Sequence, residues 1–425
     1  MSVMKVEAAK MVDRSPVLQG SKLPYYLVLL YLFLEFGRPQ ESIPGLGALR
    51  LSAIVVVILM TALAFSRKAI FIDKQTKLFA LLLALMAIHT PLALNNYWAF
   101  YITEGMFITF VAYLSIIIFV DSLERFKALM SVWLGIHLYL AITGIMHGGR
   151  GIGGFLGDEN DFCMVLNMVI PFAFFTALGD TGKLKKAISI GLLLFFLFAN
   201  MLTLSRGGFI GLAAVGVYCW FRSPRKIVSA ALIGFLILFM IQYAPDTYWK
   251  EVKSIQQEGA SEGTGEERVY QWKIGWKMFL DNRIFGVGQG NFPFQFAKYE
   301  EASGFQEGLH GRSRAGRAAH SLYFTLLPEL GIVGALIYLG MIYHVYKDTR
   351  FIRQSSLKKL TGLPVEEKKK IFYFAHAMEG SLIGFFVSGI FISVLYYPSF
   401  WILMGFIVAL RKVVSTNYEN NSPSH

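Results

Sequence analysis

Charge is scarce in this sequence: 40 Lys and Arg and 28 Asp and Glu leave only 16% of its 425 residues charged. Soluble chains carry about a quarter of their residues charged, so an ordinary water-surrounded globule of this length is excluded. Cysteine is almost missing. Cys163 and Cys219 fall in apolar runs near opposite faces, too far apart in depth to bond, which excludes a disulfide-stapled fold. HExxH, paired CxxC and GxSxG are also absent, so neither a zinc-hydrolase helix nor a serine nucleophile elbow is written here. No internal repeat is visible, and low complexity is confined to a short polar tail at 416–425.

What the sequence has in quantity is apolar residues, 55% of the chain, in runs such as 51–65 and 186–204. About 20 such residues cross a bilayer as a helix. Runs at 24–37, 48–65, 77–94, 99–120, 126–146, 161–178, 186–204, 207–222, 227–244, 320–346, 371–391 and 393–410 predict about twelve transmembrane helices. The fold class is an all-α polytopic membrane protein. Lysine and arginine mark alternate loops, among them Arg67 and Lys68, Lys183 to Lys186, Arg222 to Lys226, and the very basic 347–370. Positive loops stay on the cytoplasmic side, so both termini are expected there, and no cleavable signal peptide is expected in the polar residues 1–23. The net charge of +12 is then an orientation signal scattered over loops, which argues against nucleic acid as a partner. Three parts follow: nine spans over 1–244, a long outer loop over 245–319, and three spans with a cytoplasmic tail over 320–425.

The outward loops carry the polar chemistry. In "NMLTLSRGGFIGLAAV" (200–215), Arg206 stands at the break between the seventh and eighth spans, either reaching to lipid headgroups or binding an anion. Within the long loop, "ERVYQWKIGWKMFLDN" (267–282) has Arg268, Trp272, Trp276 and Phe279 at spacings of three to four. That is an amphipathic helix, suited to the headgroup layer or to packing on the bundle. "NRIFGVGQGNF" (282–292) reads as a turn before it reads as a phosphate cradle, because no strand precedes it. Arg312, Arg314 and Arg317 crowd before His320 on the face where arginine is disfavoured, which points to an anionic ligand. "RGIGGFLGDENDF" (150–162) adds Arg150, Asp158, Glu159 and Asp161, for sugar hydroxyls, a divalent cation or helix capping.

An arginine-lined outward cavity beside a histidine suits a lipid-linked phosphate. Guanidinium forks would stabilise the charge developing on a pyrophosphate, and His320 could accept the proton of an attacking hydroxyl.

"FLGDENDF", "LTLSRGGFIGL", "RVYQW…NRIFGVGQGNF" and "AHSLYFTLLPELGIVGALIYL" occur in this order, and together they resemble the O-antigen ligase superfamily. That superfamily holds O-antigen ligases, Wzy-type O-antigen polymerases and protein O-oligosaccharyltransferases. The likeness runs from about residue 150 to 345; Glu159, where relatives often have Pro, and Ser321, where many have Asn, depart from it. It implies a GT-C-like helical glycosyltransferase of the bacterial inner membrane, working on undecaprenyl-pyrophosphate-linked glycan at the periplasmic face with neither cofactor nor metal. Its essential groups map to Arg206, Arg268 and His320, and the acid of its E-L-G segment to Glu329. Arg150, Asp158, Asp161, Trp272, Arg312, Arg314, Arg317 and Glu329 are then the expected substrate-binding residues. The acceptor would be a lipid A-core sugar for a ligase, or another repeat unit for a polymerase. A transporter of an anionic solute is the reading from another class; it would place the largest loop near the middle of the chain and inside the cell.

Overall fold

The computed structural model describes residues 22–43, 45–66, 73–227, 229–230, 234, 264–301, 316–358, 360 and 363–419. The helices, numbered here in chain order, begin with α1 (Leu23–Leu32, running on as a π turn over Phe33–Gly37), α2 (Leu51–Ala64), α3 (Lys74–His89) and α4 (Asn96–Phe119). Next come α5 (Leu123–Met146), α6 (Glu159–Gly179), α7 (Lys183–Leu202) and α8 (Arg206–Arg222). After them stand α9 (Thr264–Asp281), α10 (Phe292–Glu301), α11 (Leu322–Lys358), α12 (Val365–Ser388) and α13 (Pro398–Glu419).

Each expected span except 227–244, which falls almost wholly outside the described residues, has a helix beneath it. Among the described residues nine helices are long and apolar enough to cross a membrane, α2 to α7 and α11 to α13. Leu23–Gly37 is a shorter apolar helix, and α8, with 17 residues, is also short. Several boundaries differ clearly from expectation. Helix α11 runs on to Lys358 and α12 starts at Val365, so most of the basic stretch 347–370 is helical and not loop, and α13 continues past 410 to Glu419. The last outward loop was expected at residue 392 alone, but α12 stops at Ser388 and α13 starts at Pro398. Gly389 caps the first helix, and Pro398 opens the second, where its missing N–H is no loss.

Local capping explains several starts. Asp73, Asn95, Ser122, Asp158 and Ser205 each accept a hydrogen bond from a backbone N–H two or three residues on. Such caps satisfy donors that the first turn leaves open, worth about 1 kcal/mol each.

The centre of the bundle is α6, whose span is 83% buried, against 22% for α2 at the rim. It is held by small residues and one amide. Ser388 of α12 lies against Gly211 of α8, and Gly384 of α12 rests on the Asn167 backbone of α6. Asn167 Nδ2 donates to the Gly208 carbonyl (2.8 Å) and to Ser388 Oγ (3.1 Å), while Asn200 Nδ2 of α7 donates to Asn167 Oδ1 (2.9 Å). Lipid tails provide no hydrophobic drive between helices, so close approach and interhelical hydrogen bonds carry this association.

Helix α11 is broken. Gly331 (φ 62°, ψ −164°) interrupts it three residues after Pro328. The backbone groups set free are taken up by the turn after α9. Val287 N donates to Pro328 O and Gly288 N to Glu329 O, both at 2.9 Å; Ile332 N donates to Arg283 O (2.8 Å) and Val333 N to Ile284 O (3.1 Å). The α9–α10 turn is thereby stitched to the break, as the low-dielectric setting requires.

Two substitutions rank these contacts. Asn167→Ala should lower the melting temperature of the detergent-solubilised protein by a few degrees, since each interhelical hydrogen bond contributes about 0.6 kcal/mol. Gly211→Val should lower it more, because overpacking costs about 1–3 kcal/mol and its Cβ would overlap Ser388. The reverse order would contradict this packing.

Candidate active site

Arg206 is the first residue of α8, so it stands at a helix end and not in mid-span. Leu204 before it takes a left-handed φ of 54°, turning the chain, and Ser205 caps the helix by accepting from Gly208 N at 3.0 Å. The same Ser205 hydroxyl donates to Asn160 Oδ1 (2.7 Å), and Asn160 donates its N–H and its side-chain Nδ2 to Asp158 Oδ1 (2.8 and 2.9 Å). The N-termini of α6 and α8 are therefore tied side by side. Helix N-termini carry partial positive charge, and here Arg206 adds to it.

Arg268 comes to the same place from α9. Its guanidinium lies 6.0 Å from the centre of the Phe391 ring, and Phe391 packs on Gly207 next to Arg206. Burial lowers the Arg268 pKa, and so does Arg206, while Asp158 works the other way. Two like charges are being held together at a partly water-depleted spot, with one carboxylate offsetting part of the repulsion.

His320 completes the cluster on a strained backbone, with φ at 47°. Trp272 of α9 fixes the approach to it. Its Nε1 donates to the Ala319 carbonyl (3.1 Å), and its ring stacks on Phe324 at 5.2 Å and 4°. Beyond it, Leu322 N donates to the Gly389 carbonyl (2.7 Å). His320 is exposed, yet the wall around it thins the water. Desolvation therefore lowers its pKa below the ordinary 6.5, Arg268 and Arg317 lower it further, and Asp158 and Glu267 oppose them. The imidazole is thus neutral at neutral pH and able to accept a proton.

The other expected substrate residues are placed differently. Arg150 pairs with Glu159 (3.1 Å) and Arg317 with Glu267 (2.9 Å). Asp161 accepts from Tyr397 OH at 3.3 Å. Glu329 is buried, and its carboxylate accepts from Gly290 N (2.7 Å), Phe292 N (3.0 Å) and Tyr396 OH (2.7 Å). The glycine-rich turn does present backbone amides to an acceptor, but that acceptor is the chain's own Glu329 carboxyl. Arg312 and Arg314 lie outside the described residues.

Helix α9 has two faces. Tyr270, Ile274 and Met278 form a small core with Phe292, Phe296 and Tyr299, while Val269, Trp276 and Leu280 stay exposed. Residues that sequence reasoning passed over also build the site: Phe391, Tyr396 and Tyr397 in the 389–397 loop, and the Asn160–Ser205 bond. The run "YYP" (396–398), ending in a proline, was the available signal for that loop.

Residues 191–339 match the family model described as O-Antigen ligase (Wzy_C). The match takes in Arg206, Arg268, Trp272, His320 and Glu329, and it bears out the family resemblance seen in the motifs. The chain is also similar to the teichuronic acid biosynthesis protein TuaE of Bacillus subtilis (strain 168), 22% identical over 343 residues. That alignment covers 73% of this chain and 66% of the relative, so the chain spans just under two thirds of the relative's length.

The electrostatics around His320 predict a pH dependence. If its neutral form is required, kcat/KM falls only as pH drops through a value below 6.5, the ordinary histidine pKa. Asp158→Asn keeps a capping side chain but removes a group that raises this pKa, so the acid limb should move still lower. An acid limb that moves upward in Asp158→Asn would contradict the arrangement.

Proposed function

We propose that this chain, whose residues 191–339 carry the O-antigen ligase domain, transfers a glycan from undecaprenyl pyrophosphate to an acceptor hydroxyl. The reaction takes place at the periplasmic face of the bacterial inner membrane, with both termini in the cytoplasm and no metal taking part. The observation that carries this reading is the meeting of Arg206, Arg268 and His320 around Asp158, from three distant parts of the chain.

The chemistry follows from the placement. Arg206 and Arg268 take the diphosphate oxygens, where their forks and the α6 and α8 N-termini supply positive charge. The acceptor oxygen forms a bond to the anomeric carbon as the bond from that carbon to the phosphate oxygen breaks. His320 takes the hydroxyl proton, and the electron pair of the broken bond stays on the undecaprenyl pyrophosphate. The two guanidiniums stabilise this growing charge more than they stabilise the bound donor, which is what lowers a barrier. Glu329 and Trp272 act at one remove, holding the α9–α10 turn and the residue before His320.

A ligase would use a lipid A-core sugar as acceptor. A Wzy-type polymerase would use the terminal sugar of another repeat unit. A strain lacking the chain separates the two: a lost ligase leaves full-length polymer on the lipid carrier, and a lost polymerase leaves single repeats on the core.

Arg206→Ala and Arg268→Lys should each abolish transfer in membranes while the protein still inserts at normal abundance. His320→Ala should slow transfer by a factor on the order of 10²–10⁴. Transfer should persist in excess EDTA. Wild-type rates in either arginine variant would remove the diphosphate clamp, and a strict metal requirement would turn attention to Asp158 and Asp161.

A further inference from the structure

Three of the four non-glycine residues with left-handed backbone among the described residues are Arg38, Leu204 and His320. Leu204 and His320 sit at the site. Strained backbone of this kind persists where the surroundings enforce it. Arg38 is distant in sequence from Arg206, Arg268 and His320, and its contacts explain its company.

Arg38 follows the π turn of α1, and its Nε donates to the Glu35 carbonyl at 3.3 Å. Its guanidinium occupies the space that a side chain at Gly154 would need, and it lies over the Phe155 ring at 5.0 Å. Its Nη1 is buried there with no hydrogen-bond acceptor among the described residues. Glu41 leans on the neighbouring Gly153 in the same way. Both glycines have positive φ, 57° and 51°, so the loop takes a path made for these two side chains. From Phe155 the contacts continue: its ring meets Tyr397 at 5.1 Å, and Tyr397 OH donates to Asp161. The loop ends at Asp158, which caps α6 and acts on both Arg268 and His320.

We propose that Arg38 is a positioning residue for this site: seated in the gap at Gly154 and stacked on Phe155, it holds the 150–158 loop against the Arg206–Arg268–His320 cluster. Its value as a reaction component rests on the function proposed above; its hold on the loop does not. A lysine cannot replace it fully, because the flat guanidinium both fills the gap and stacks on the ring.

The test uses full-length protein in nanodiscs with spin labels at Gly157→Cys in the loop and Lys273→Cys on α9; native Cys163 and Cys219 are buried. The wild-type distance distribution should be narrow. Arg38→Ala and Gly154→Ala should each broaden it, and Arg38→Lys should broaden it less. In transfer assays Arg38→Ala should lower kcat roughly 10- to 100-fold with the donor KM within about twofold, the pattern of misplacement and not of lost binding. A narrow, unshifted distribution in Arg38→Ala would overturn the proposal, and so would a raised donor KM at unchanged kcat. If Arg38→Ala fails to insert, Gly154→Ala and Arg38→Lys carry the same comparison. A wild-type protein that transfers no glycan would instead count against the proposed function, and the spin-label distances would still decide whether Arg38 sets the loop.

Discussion

Positive charge gathered at one point is the constraint on which the rest of the structure depends. A cation in the first turn of a helix opposes the helix dipole, yet Arg206 occupies that turn of α8. Arg268 adds a second guanidinium whose pKa is lowered partly by Arg206. Asp158 offsets some of the repulsion, and an anion with two charges would offset the rest. Local rules are broken in this way where a site is prepared for a ligand.

Holding such a cluster together takes rigid support, and the chain supplies it in part by pairing backbone groups freed at the α11 break. The break at Gly331 releases carbonyls and amides that residues 283–288 take up. Glu329, at that break, binds the amides of Gly290 and Phe292 together with Tyr396, joining three segments through one carboxylate. Arg268 on α9 and His320 before α11 are thus mounted on parts of one stitched unit. The Asn167 network does the same for α6, α7, α8 and α12, and it fixes where Arg206 projects.

Much of this was legible in the sequence, for physical reasons that can be named. Long apolar runs mark helices because the bilayer demands internal hydrogen bonding, so the helices up to α8 lie close to their expected ends, whereas α11 and α12 extend beyond their apolar runs into the basic stretch between them. Arg206 stood out because a guanidinium within an apolar run is costly, and Arg268 and His320 because they fall at the essential positions of the family that the motifs resemble. The turn reading of 282–292 also held: Gly286, Gly288 and Gly290 all take positive φ, and Gly286 packs on the backbone of Glu329. Arg38 was not legible: its partner Gly154 is far away along the chain, and nothing periodic links them. The engagement of Glu329 by chain donors was hidden for the same reason. The 389–397 loop was mistaken for helix because its residues are nearly all apolar, and composition alone does not reveal a break between two buried helices.

The central claim is that one diphosphate is gripped by Arg206 and Arg268 with His320 at its sugar end. Determining the structure of the protein with a non-transferable polyprenyl diphosphate sugar tests it most directly. The account predicts phosphate density bridging both guanidiniums beside the α6 and α8 N-termini, with the anomeric carbon facing His320. Phosphate bound elsewhere on the bundle, with Arg206 and Arg268 left in their ligand-free positions, would contradict it.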